Sequence, residues 1–391
     1  MRFVHTADWQ LGAPFARISD VQKRSRVRQA RVDAIRRIGV AAKEGGADFV
    51  LVAGDLFDSP SVDKATVSAA CSAIGEIGLP VIAIPGNHDH GGPGSVWEQE
   101  FFRREWSALA PNLRVLLEPG PCELEHAVIL PCPLARRSAI GDPTAWLRSL
   151  DIYADLPVDK PRVVLAHGST QTFSGEWDEE AEDDSAANLI DLERLPDTEI
   201  DYVALGDWHG TRQVGPKAWF AGTPEPDRFS KGGDYDPGNV LLVDARRGGA
   251  PQVAKTRTGS LGWAELSFEF ADDAALGELE SRLDSLLGQR VNEDLLRLTL
   301  AGSLGLEASA RLDQVLESLE ARLLRLKLAD RSVVAPTDEE ILALTRSGAD
   351  PLIARVATQL MDLAVCDGDS AAIARVALRE LHRAWKEERA L

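Results

Sequence analysis

The sequence is poor in the features that mark secreted and membrane proteins. Its 391 residues include four cysteines and no Cys-x-x-Cys pair, although a bridge between Cys122 and Cys132 across a hairpin stays open. No stretch reaches the roughly 20 consecutive apolar residues of a membrane-spanning helix. The amino terminus lacks a basic region followed by an apolar segment and a cleavage site. We therefore expect a cytoplasmic protein without a membrane segment.

Positive charge is also scarce, because 43 Lys and Arg residues face 62 Asp and Glu residues, a formal net charge of −19. Such a chain should not bind a polyanion through its overall field, since phosphate affinity comes from lysines and arginines that displace counterions. If nucleic acid is the substrate, the cations must be local, bound as metal or supplied by a partner. Residues 17–43 carry nine basic and two acidic residues. They could form a DNA-facing helix or a solvated helix face.

Length and composition favour a globular protein with more than one domain. Hydrophobic residues make up 44% and charged residues 27% of the chain, and 391 residues exceed what one hydrophobic core usually supports. Short apolar runs alternate with amphipathic helical stretches, which predicts an α/β fold. Buried strands are predicted at 2–6, 48–53, 81–84, 162–166 and 202–205, with further strands at 218–221 and 239–244.

Three regions are predicted along the chain: 1–262, 263–335 and 336–391. The middle region alternates strands and helices and is expected to be a compact α+β module. The last region is expected to be helical, because Thr337-x-x-Glu340 is a capping box and an amphipathic helix is predicted over 370–389. Within the middle region, strands are predicted at 263–270, 295–300 and 325–334, and helices at 272–288 and 307–324.

Polar residues follow the predicted strands at their carboxyl ends. Open α/β sheets bind ligands beyond these ends. One such ending would be an ordinary turn, but five in succession indicate a single site. The endings contain Asp8, then Gly54 and Asp55, then Gly86 to Asp89, then His167 and Gly168, and finally Asp207 to His209.

In their order along the chain, these endings resemble the motifs of the calcineurin-like metallophosphoesterases. They are most similar to those of the branch of DNA repair nucleases that contains SbcD and the meiotic-recombination-eleven proteins, and the resemblance covers about residues 1–245. It implies a sandwich of two mixed sheets flanked by helices, a small α+β capping domain and a helical carboxyl-terminal tail. The stretches that carry it are "HTADWQLG", "GDLFDSPSVD", "GNHD", "LAHGS" and "ALGDWHG".

The resemblance also implies two divalent metal ions. Such a pair, ~3.5–4 Å apart, needs one bridging carboxylate, several terminal ligands and open positions for water and phosphate. His88 is implied to stabilise developing charge or to protonate the leaving oxygen, and Asp58 matches a position that orients this histidine. By position, Asp8, Gln10 and His209 are implied to hold one ion, Asn87, His167 and Asp207 the other, and Asp55 is implied to bridge them.

Two positions depart from the pattern of the branch. Gln10 and Asp207 stand where the branch usually has histidine, so each ion loses one imidazole. Oxygen ligands suit Mn²⁺ and Mg²⁺, whereas imidazole suits zinc and iron as well. We interpret the changes as a retuned site with Mn²⁺ as the favoured ion and Mg²⁺ as the alternative, because Asp55 and His88 are both present.

The implied activity is metal-dependent hydrolysis of DNA, as an exonuclease with endonuclease activity left open. The implied partner in DNA repair is an SbcC-type coiled-coil ABC ATPase, bound through the tail, within a heterotetramer that contains a homodimer of this chain. Helices around 62–78 and 95–109 would form the dimer contact. Two alternatives stay open, namely hydrolysis of small phosphate esters and a catalytically impaired structural or DNA-end-sensing role.

Two smaller features also have alternative interpretations. Trp9 and Trp208 flank implied ligands and could stack on a base, but they are favoured as walls beneath the site. The acidic run at 176–184 is favoured as a solvated loop, although it could repel DNA until a partner or a metal neutralises it.

Overall fold

The computed structural model describes residues 1–139, 141–170, 188–230, 235–335, 337–345, 351–364 and 369–390. The chain divides into two compact units, Met1–Leu261 and Gly262–Leu391. The acidic run at 176–184 and Cys366 lie outside the described residues. Of the other cysteines, Cys122 and Cys132 are both free thiols, so the hairpin bridge is not formed.

The first unit contains two six-stranded sheets. The first sheet has the order β12-β11-β1-β2-β3-β4, and the second has the order β5-β6-β7-β8-β10-β9. Its strands are β1 (Arg2–Thr6), β2 (Phe49–Ala53), β3 (Val81–Ile84), β4 (Leu113–Val115), β5 (Cys122–Glu123), β6 (Val128–Cys132), β7 (Arg162–His167), β8 (Tyr202–Gly206), β9 (Arg212–Gln213), β10 (Ala218–Phe220), β11 (Asn239–Asp244) and β12 (Gln252–Arg257). Its helices are α1 (Val21–Glu44), α2 (Lys64–Ile77) and α3 (Glu100–Leu109), with short 3-10 turns at Val96–Glu98, Ala145–Arg148, Leu150–Tyr153 and Leu192–Arg194.

Successive side chains along a strand pack on opposite faces of its sheet. Phe49 and Leu51 of β2 join the core between the two sheets, whereas Val50 of the same strand packs in the cluster that contains Ile35 of α1 and Ile74 of α2. The period of two in a strand sends successive side chains to opposite faces. Each sheet mixes parallel and antiparallel pairs, because β1 pairs parallel with β2 and antiparallel with β11, and β6 pairs parallel with β7 and antiparallel with β5. The predicted sandwich of two mixed sheets flanked by helices is confirmed.

Several strands of this unit were not predicted: β4, β5, β6, β9 and β12. Three of them are only two or three residues long, which is too short for periodicity to register. Pro131 is the fourth of the five residues of β6, and proline normally argues against an inner strand because it cannot donate to the ladder. The last, β12, is an edge strand whose residues are mostly exposed, so it lacks an apolar run.

The second unit begins with a parallel sheet. Its strands are β13 (Gly262–Phe270), β14 (Asp294–Leu304), β15 (Arg325–Asp330) and the short β16 (Val333–Val334), which pairs with β14. The prediction of one strand over 325–334 was therefore wrong, because the chain leaves the sheet between β15 and β16. Between the strands lie α4 (Ala275–Leu287) and α5 (Leu306–Arg322), which share an apolar core with the sheet.

The helical tail consists of α6 (Asp338–Thr345), α7 (Pro351–Ala364) and α8 (Asp369–Ala390). Leu306 of α5 is buried together with Leu344, Ala357 and Leu378 of the tail, so the tail packs on the α+β module. The predicted capping box is formed, since the main-chain N–H of Glu340 donates to Thr337 Oγ1 over 3.2 Å and that of Thr337 donates to the Glu340 carboxylate over 2.9 Å. Among the described helices, none is both long and apolar enough to cross a membrane.

Candidate metal centre

The carboxyl ends of parallel strands place the predicted ligands at one edge of the sandwich. Asp8 follows β1 and Asp55 follows β2, two strands that pair in parallel in the first sheet. His167 is the last residue of β7, and Asp207 follows the parallel strand β8 of the second sheet. The two sets of loops meet, because the main-chain N–H of Asp207 donates to the Asp8 carboxylate over 3.1 Å.

His167 lies at the centre of this group. Ligand atoms of Asp8, Asp55 and His167 all lie within 4.8 Å of one another, and all three residues are buried. The Nε2 atom of His167 is 3.6 Å from Asp55 Oδ2 and 3.7 Å from Asp207 Oδ1. It is also 3.1 Å from Asn87 Oδ1. The residues predicted for the second ion thus converge on one ring nitrogen.

Gln10 and His209 form a separate pair. The side-chain nitrogen of Gln10 lies 3.1 Å from His209 Nε2, and both side chains are nearly fully buried. The Nδ1 atom of His209 donates to Asp227 Oδ2 over 2.7 Å. Burial lowers the pKa of His209 despite the neighbouring Asp227 carboxylate, which keeps the imidazole in the neutral form that a metal ligand requires.

His88 is held beside the Asp55 carboxylate through main-chain contacts. Its own N–H donates to Asp55 Oδ1 over 2.9 Å, and its ring Nδ1 donates to the Asp58 carbonyl oxygen over 2.9 Å. The ring is therefore oriented by the main chain of Asp58. Burial raises the pKa of the Asp58 side chain, while the charges of His88 and Arg31 lower it in part.

The loops that carry the site are held in unusual backbone conformations. Asp8, Gln10 and Asp55 have φ angles of 53°, 41° and 54°, and Asp207 has a φ of 106°. Left-handed conformations cost about 1–3 kcal/mol each for residues other than glycine and persist only where surrounding contacts enforce them. Gly86 is required for a different reason, because a Cβ there would lie 2.1 Å from Asp55 Oδ1.

The charge of the group fits bound cations. Burial raises the pKa of Asp8 well above its usual range, with Asp55 and Asp207 adding repulsion, and burial raises the pKa of Asp207 to about 6. Burial alone would lower the pKa of His167, but the carboxylates of Asp55, Asp8 and Asp207 raise it to about 9. Buried carboxylates of like charge are stable when they coordinate metals. The donor set of carboxylate, amide and imidazole groups suits a divalent cation.

Three residues at the site carried no signal in the sequence. Arg31 is 3% exposed, and its guanidinium donates to the carbonyl oxygens of Trp9 over 2.8 Å and Asp8 over 3.1 Å. Asp227 accepts from His209, and Arg228 lies against both. Burial would raise the pKa of Asp227, but Arg228 and His209 lower it well below its usual range. Their partners are distant in sequence, so no local motif marks them.

The two tryptophans differ in accessibility. Trp9 is 1% exposed, and its indole N–H donates to Thr6 Oγ1 over 3.0 Å, so it packs beneath the site and cannot stack on a base. Trp208 is half-buried against the outer core of the second sheet. Its ring lies edge-on to Tyr235, with the centroids 6.1 Å apart.

The chain is similar to several known proteins. A model of the calcineurin-like phosphoesterases matches residues 1–211. Two relatives from Bacillus subtilis (strain 168) match shorter segments. The uncharacterized metallophosphoesterase YhaO is 33% identical over 95 residues, which cover 23% of this chain and 23% of that protein. The SbcD component of the nuclease SbcCD is 32% identical over 94 residues, which cover 23% of this chain and 22% of the relative.

Each of these alignments therefore spans less than a quarter of the relative's own length. Among solved structures, TT1561 of Thermus thermophilus covers 66% of this chain and 98% of its own chain, with 14% identity and a TM-score of 0.39.

Proposed function

The chain belongs to the calcineurin-like phosphoesterases, a family of metal-dependent phosphoester hydrolases, and we propose that it is a nuclease component that hydrolyses DNA phosphodiesters. One observation supports hydrolysis of phosphoesters: the ligand atoms of Asp8, Asp55 and His167 lie close enough together to hold a metal ion. The partial similarity to the SbcD component of the SbcCD nuclease supports the choice of DNA as substrate.

In this proposal the site would hold two divalent ions, preferably Mn²⁺, which when bound would polarise the phosphate and provide a nucleophile at neutral pH. Carboxylate-rich coordination favours Mn²⁺ or Mg²⁺ over zinc. Asp55 would bridge the two ions, and its Oδ1 accepts a hydrogen bond from the His88 N–H. One ion would be held by Asp8, Gln10 and His209, and the other by Asn87, His167 and Asp207.

His88 is the proposed general acid. Its Nδ1 donates to the Asp58 carbonyl, so the ring can act as an acid only as the imidazolium, in which Nε2 carries the proton available for transfer. The side chain is partly exposed while its neighbours Asp55 and Asp89 are buried, which leaves it open to a substrate. Protonation of the leaving oxygen by such a group contributes about 10²–10⁴-fold to the rate.

Two arginines of the basic helix α1 are engaged in ion pairs within the protein. Arg36 pairs with Asp33 and Glu76, and Arg37 pairs with the buried Glu225. These two guanidinium groups serve internal ion pairs, which favours the solvated-face interpretation for this part of α1. With a net charge of −19, the chain alone is expected to bind duplex DNA weakly.

The tail offers a surface for the proposed ATPase partner. Among the side chains of α7 and α8 that the structure describes, four large apolar ones are exposed, and a coiled coil presents apolar residues that such a surface could bury. We propose that this surface binds an SbcC-type coiled coil, and that homodimerisation through α2 and α3 completes a heterotetramer. The exposed side chains, with their exposed fractions, are Leu352 (70%), Leu363 (48%), Ile373 (69%) and Val376 (51%).

A nuclease assay with purified full-length protein tests the proposal. Labelled single- and double-stranded DNA is incubated with Mn²⁺, Mg²⁺ or a chelator, and a small phosphodiester serves as a second substrate. The Asp55→Asn variant should lose all metal-dependent hydrolysis while keeping its circular dichroism spectrum. The matched control is Asp159→Asn, which removes the same charge at an exposed position.

The outcomes separate the alternatives. Cleavage of DNA with Mn²⁺ that is lost in Asp55→Asn supports the nuclease. Cleavage of the small ester alone would favour a phosphodiesterase for small substrates. Metal binding without hydrolysis of either substrate would favour the impaired, structural role. Near-normal turnover by Asp55→Asn would overturn the two-ion assignment.

A further inference from the structure

Asp227 makes a buried hydrogen bond to one of the proposed metal ligands. Its Oδ2 accepts from His209 Nδ1 over 2.7 Å, and its side chain is 10% exposed. Its Oδ1 accepts from the Tyr235 hydroxyl over 2.7 Å. The Arg228 guanidinium lies 3.3 Å from both carboxylate oxygens. Both oxygens of Asp227 are thus engaged by donors, and one of these donors is the His209 ring.

The loop that carries Asp227 is fixed from two directions. Arg31 donates to Thr223 Oγ1 and to the Glu225 carbonyl oxygen, each over 3.1 Å. The Glu225 carboxylate accepts main-chain N–H groups of Ser260 over 3.0 Å and Leu261 over 2.9 Å. Arg31 also holds the carbonyl oxygens of Asp8 and Trp9. One guanidinium therefore ties the Asp227 loop to the loop that bears Gln10.

Two groups with opposite demands meet His209 Nδ1: Asp227 Oδ2 lies 2.7 Å away and accepts a proton from it, whereas the Arg228 Nη2 donor lies 2.6 Å away. The Asp227 carboxylate favours the tautomer that is protonated at Nδ1. With the Nδ1 proton donated to Asp227, the lone pair of Nε2 points away from the carboxylate, toward Gln10 at 3.1 Å. Carboxylates that accept the second N–H of a ligating histidine fix its orientation and raise its basicity, and their loss typically costs 10–100-fold in metal affinity. Gln10 supplies only a neutral amide on this side, so the strength of the imidazole matters more here.

We propose that Asp227 is a positioning residue: it holds His209 as the Nδ1-protonated tautomer and strengthens it as the ligand that offsets the weak Gln10 amide. The inference rests on the proposed two-ion centre, because His209 is a ligand only there. Asp227 acts through His209 and does not itself contact substrate.

The tautomer can be measured without metal or turnover. The full-length protein is labelled with ¹⁵N-histidine, and its ring nitrogens are observed by NMR in the presence of a chelator. His209 is identified by the signals that disappear in His209→Gln. We expect the pattern of a neutral ring protonated at Nδ1, and we expect Asp227→Asn to convert it to a mixture of tautomers. An unchanged His209 pattern in Asp227→Asn would overturn the proposal.

Calorimetric titration with Mn²⁺ then tests the effect on binding. In wild-type protein we expect two binding events, and Asp227→Asn should weaken one of them about 10–100-fold while leaving the other unchanged. The matched control is Asp236→Asn, because the Asp236 carboxylate pairs with Lys255 over 2.8 Å on the same stretch of chain. The control should retain both binding events and the wild-type His209 pattern.

The two measurements separate this inference from the proposed function. Two wild-type binding events that Asp227→Asn leaves unchanged would overturn the role of Asp227 and keep the metal centre. Equal weakening of both events would indicate a structural role and also overturn it. Absence of two binding events in the wild type would overturn the two-ion centre, and with it the claim that Asp227 strengthens a ligand.

Discussion

The imidazole of His167 donates a hydrogen bond from Nδ1 to the carbonyl oxygen of Ala53, 2.8 Å away. Ala53 is the last residue of β2 in the first sheet, and His167 is the last residue of β7 in the second. One side chain therefore links the two sheets at the edge where the candidate ligands lie. The same bond directs Nε2 toward Asp55 and Asp207, so a contact that supports the fold also orients a ligand.

The main-chain orientation of His88 gives a prediction that compares two variants. His88→Ala should lower kcat for DNA cleavage by roughly 10²-fold or more, as expected for loss of a general acid. Asp58→Ala should lower it far less, because the carbonyl oxygen that accepts from His88 survives the substitution. Mn²⁺ binding should be unchanged in His88→Ala. Loss of a bound ion in that variant would make His88 a ligand.

Gln10 predicts unequal affinity of the two ions. The ion between Asn87, His167 and Asp207 should bind more tightly than the ion beside Gln10, because an amide oxygen is a neutral, weak ligand. Gln10→His should raise the Mn²⁺ affinity of the weaker binding event in a titration. The same variant should also bind Zn²⁺ at this site more readily than the wild type does. Histidine is among the residues that adopt positive φ more readily, so the backbone at φ 41° can accept it. If the wild type bound both ions equally tightly, and Gln10→His did not change either affinity, Gln10 would be excluded as a ligand.

The exposed apolar residues of the tail predict where a coiled-coil partner binds. Ile373→Asp should abolish association with an SbcC-type ATPase in a pull-down assay, because a charge would be buried in the interface. Hydrolysis of a small phosphodiester should be unaffected. Ser370→Asp, at an exposed position of the same helix, is the control and should associate normally. Undiminished association of Ile373→Asp would place the partner surface elsewhere.

Because His5 is buried, we expect it to contribute to the loss of folding stability at acidic pH. Burial lowers the pKa of His5 from 6.5 to about 3, although the Leu205 carbonyl raises it slightly. Between these values the unfolded chain binds a proton that the folded protein does not. The free energy of unfolding should therefore fall as pH decreases through this window, by up to about 1.4 kcal/mol per pH unit.

Denaturant unfolding with a chelator present, at pH 7 and pH 4.5, measures this effect. The His5→Gln variant should lose less stability than the wild type over this interval, whatever its stability at pH 7. His126→Gln is the control because that side chain is 53% exposed. Equal losses in His5→Gln and the wild type would show that His5 does not carry the effect.

The longer apolar strands of the first unit, and the polar residues at the ends of five of them, could be predicted from the sequence. Apolar runs such as 49–53 are fully buried strands, and the polar residue that follows such a run must lie at the carboxyl end of the sheet. Asp8, Asp55 and His167 were predicted on this basis, and the fold brings their ligand atoms within 4.8 Å of one another. This part of the site depends on local periodicity, which a sequence displays directly.

The tertiary structure alone decided which groups support these residues. Arg31 belongs to α1, which the sequence shows only as a segment rich in basic residues. Its guanidinium is nevertheless buried against Asp8, Thr223 and Glu225. Asp227 lies outside every recognisable motif and contacts His209 through a loop that Arg31 holds. Such contacts depend on packing between segments that are distant along the chain, and local sequence carries no trace of them. The sequence by itself therefore determined the fold class and the candidate ligands, and packing decided how those ligands are oriented and strengthened.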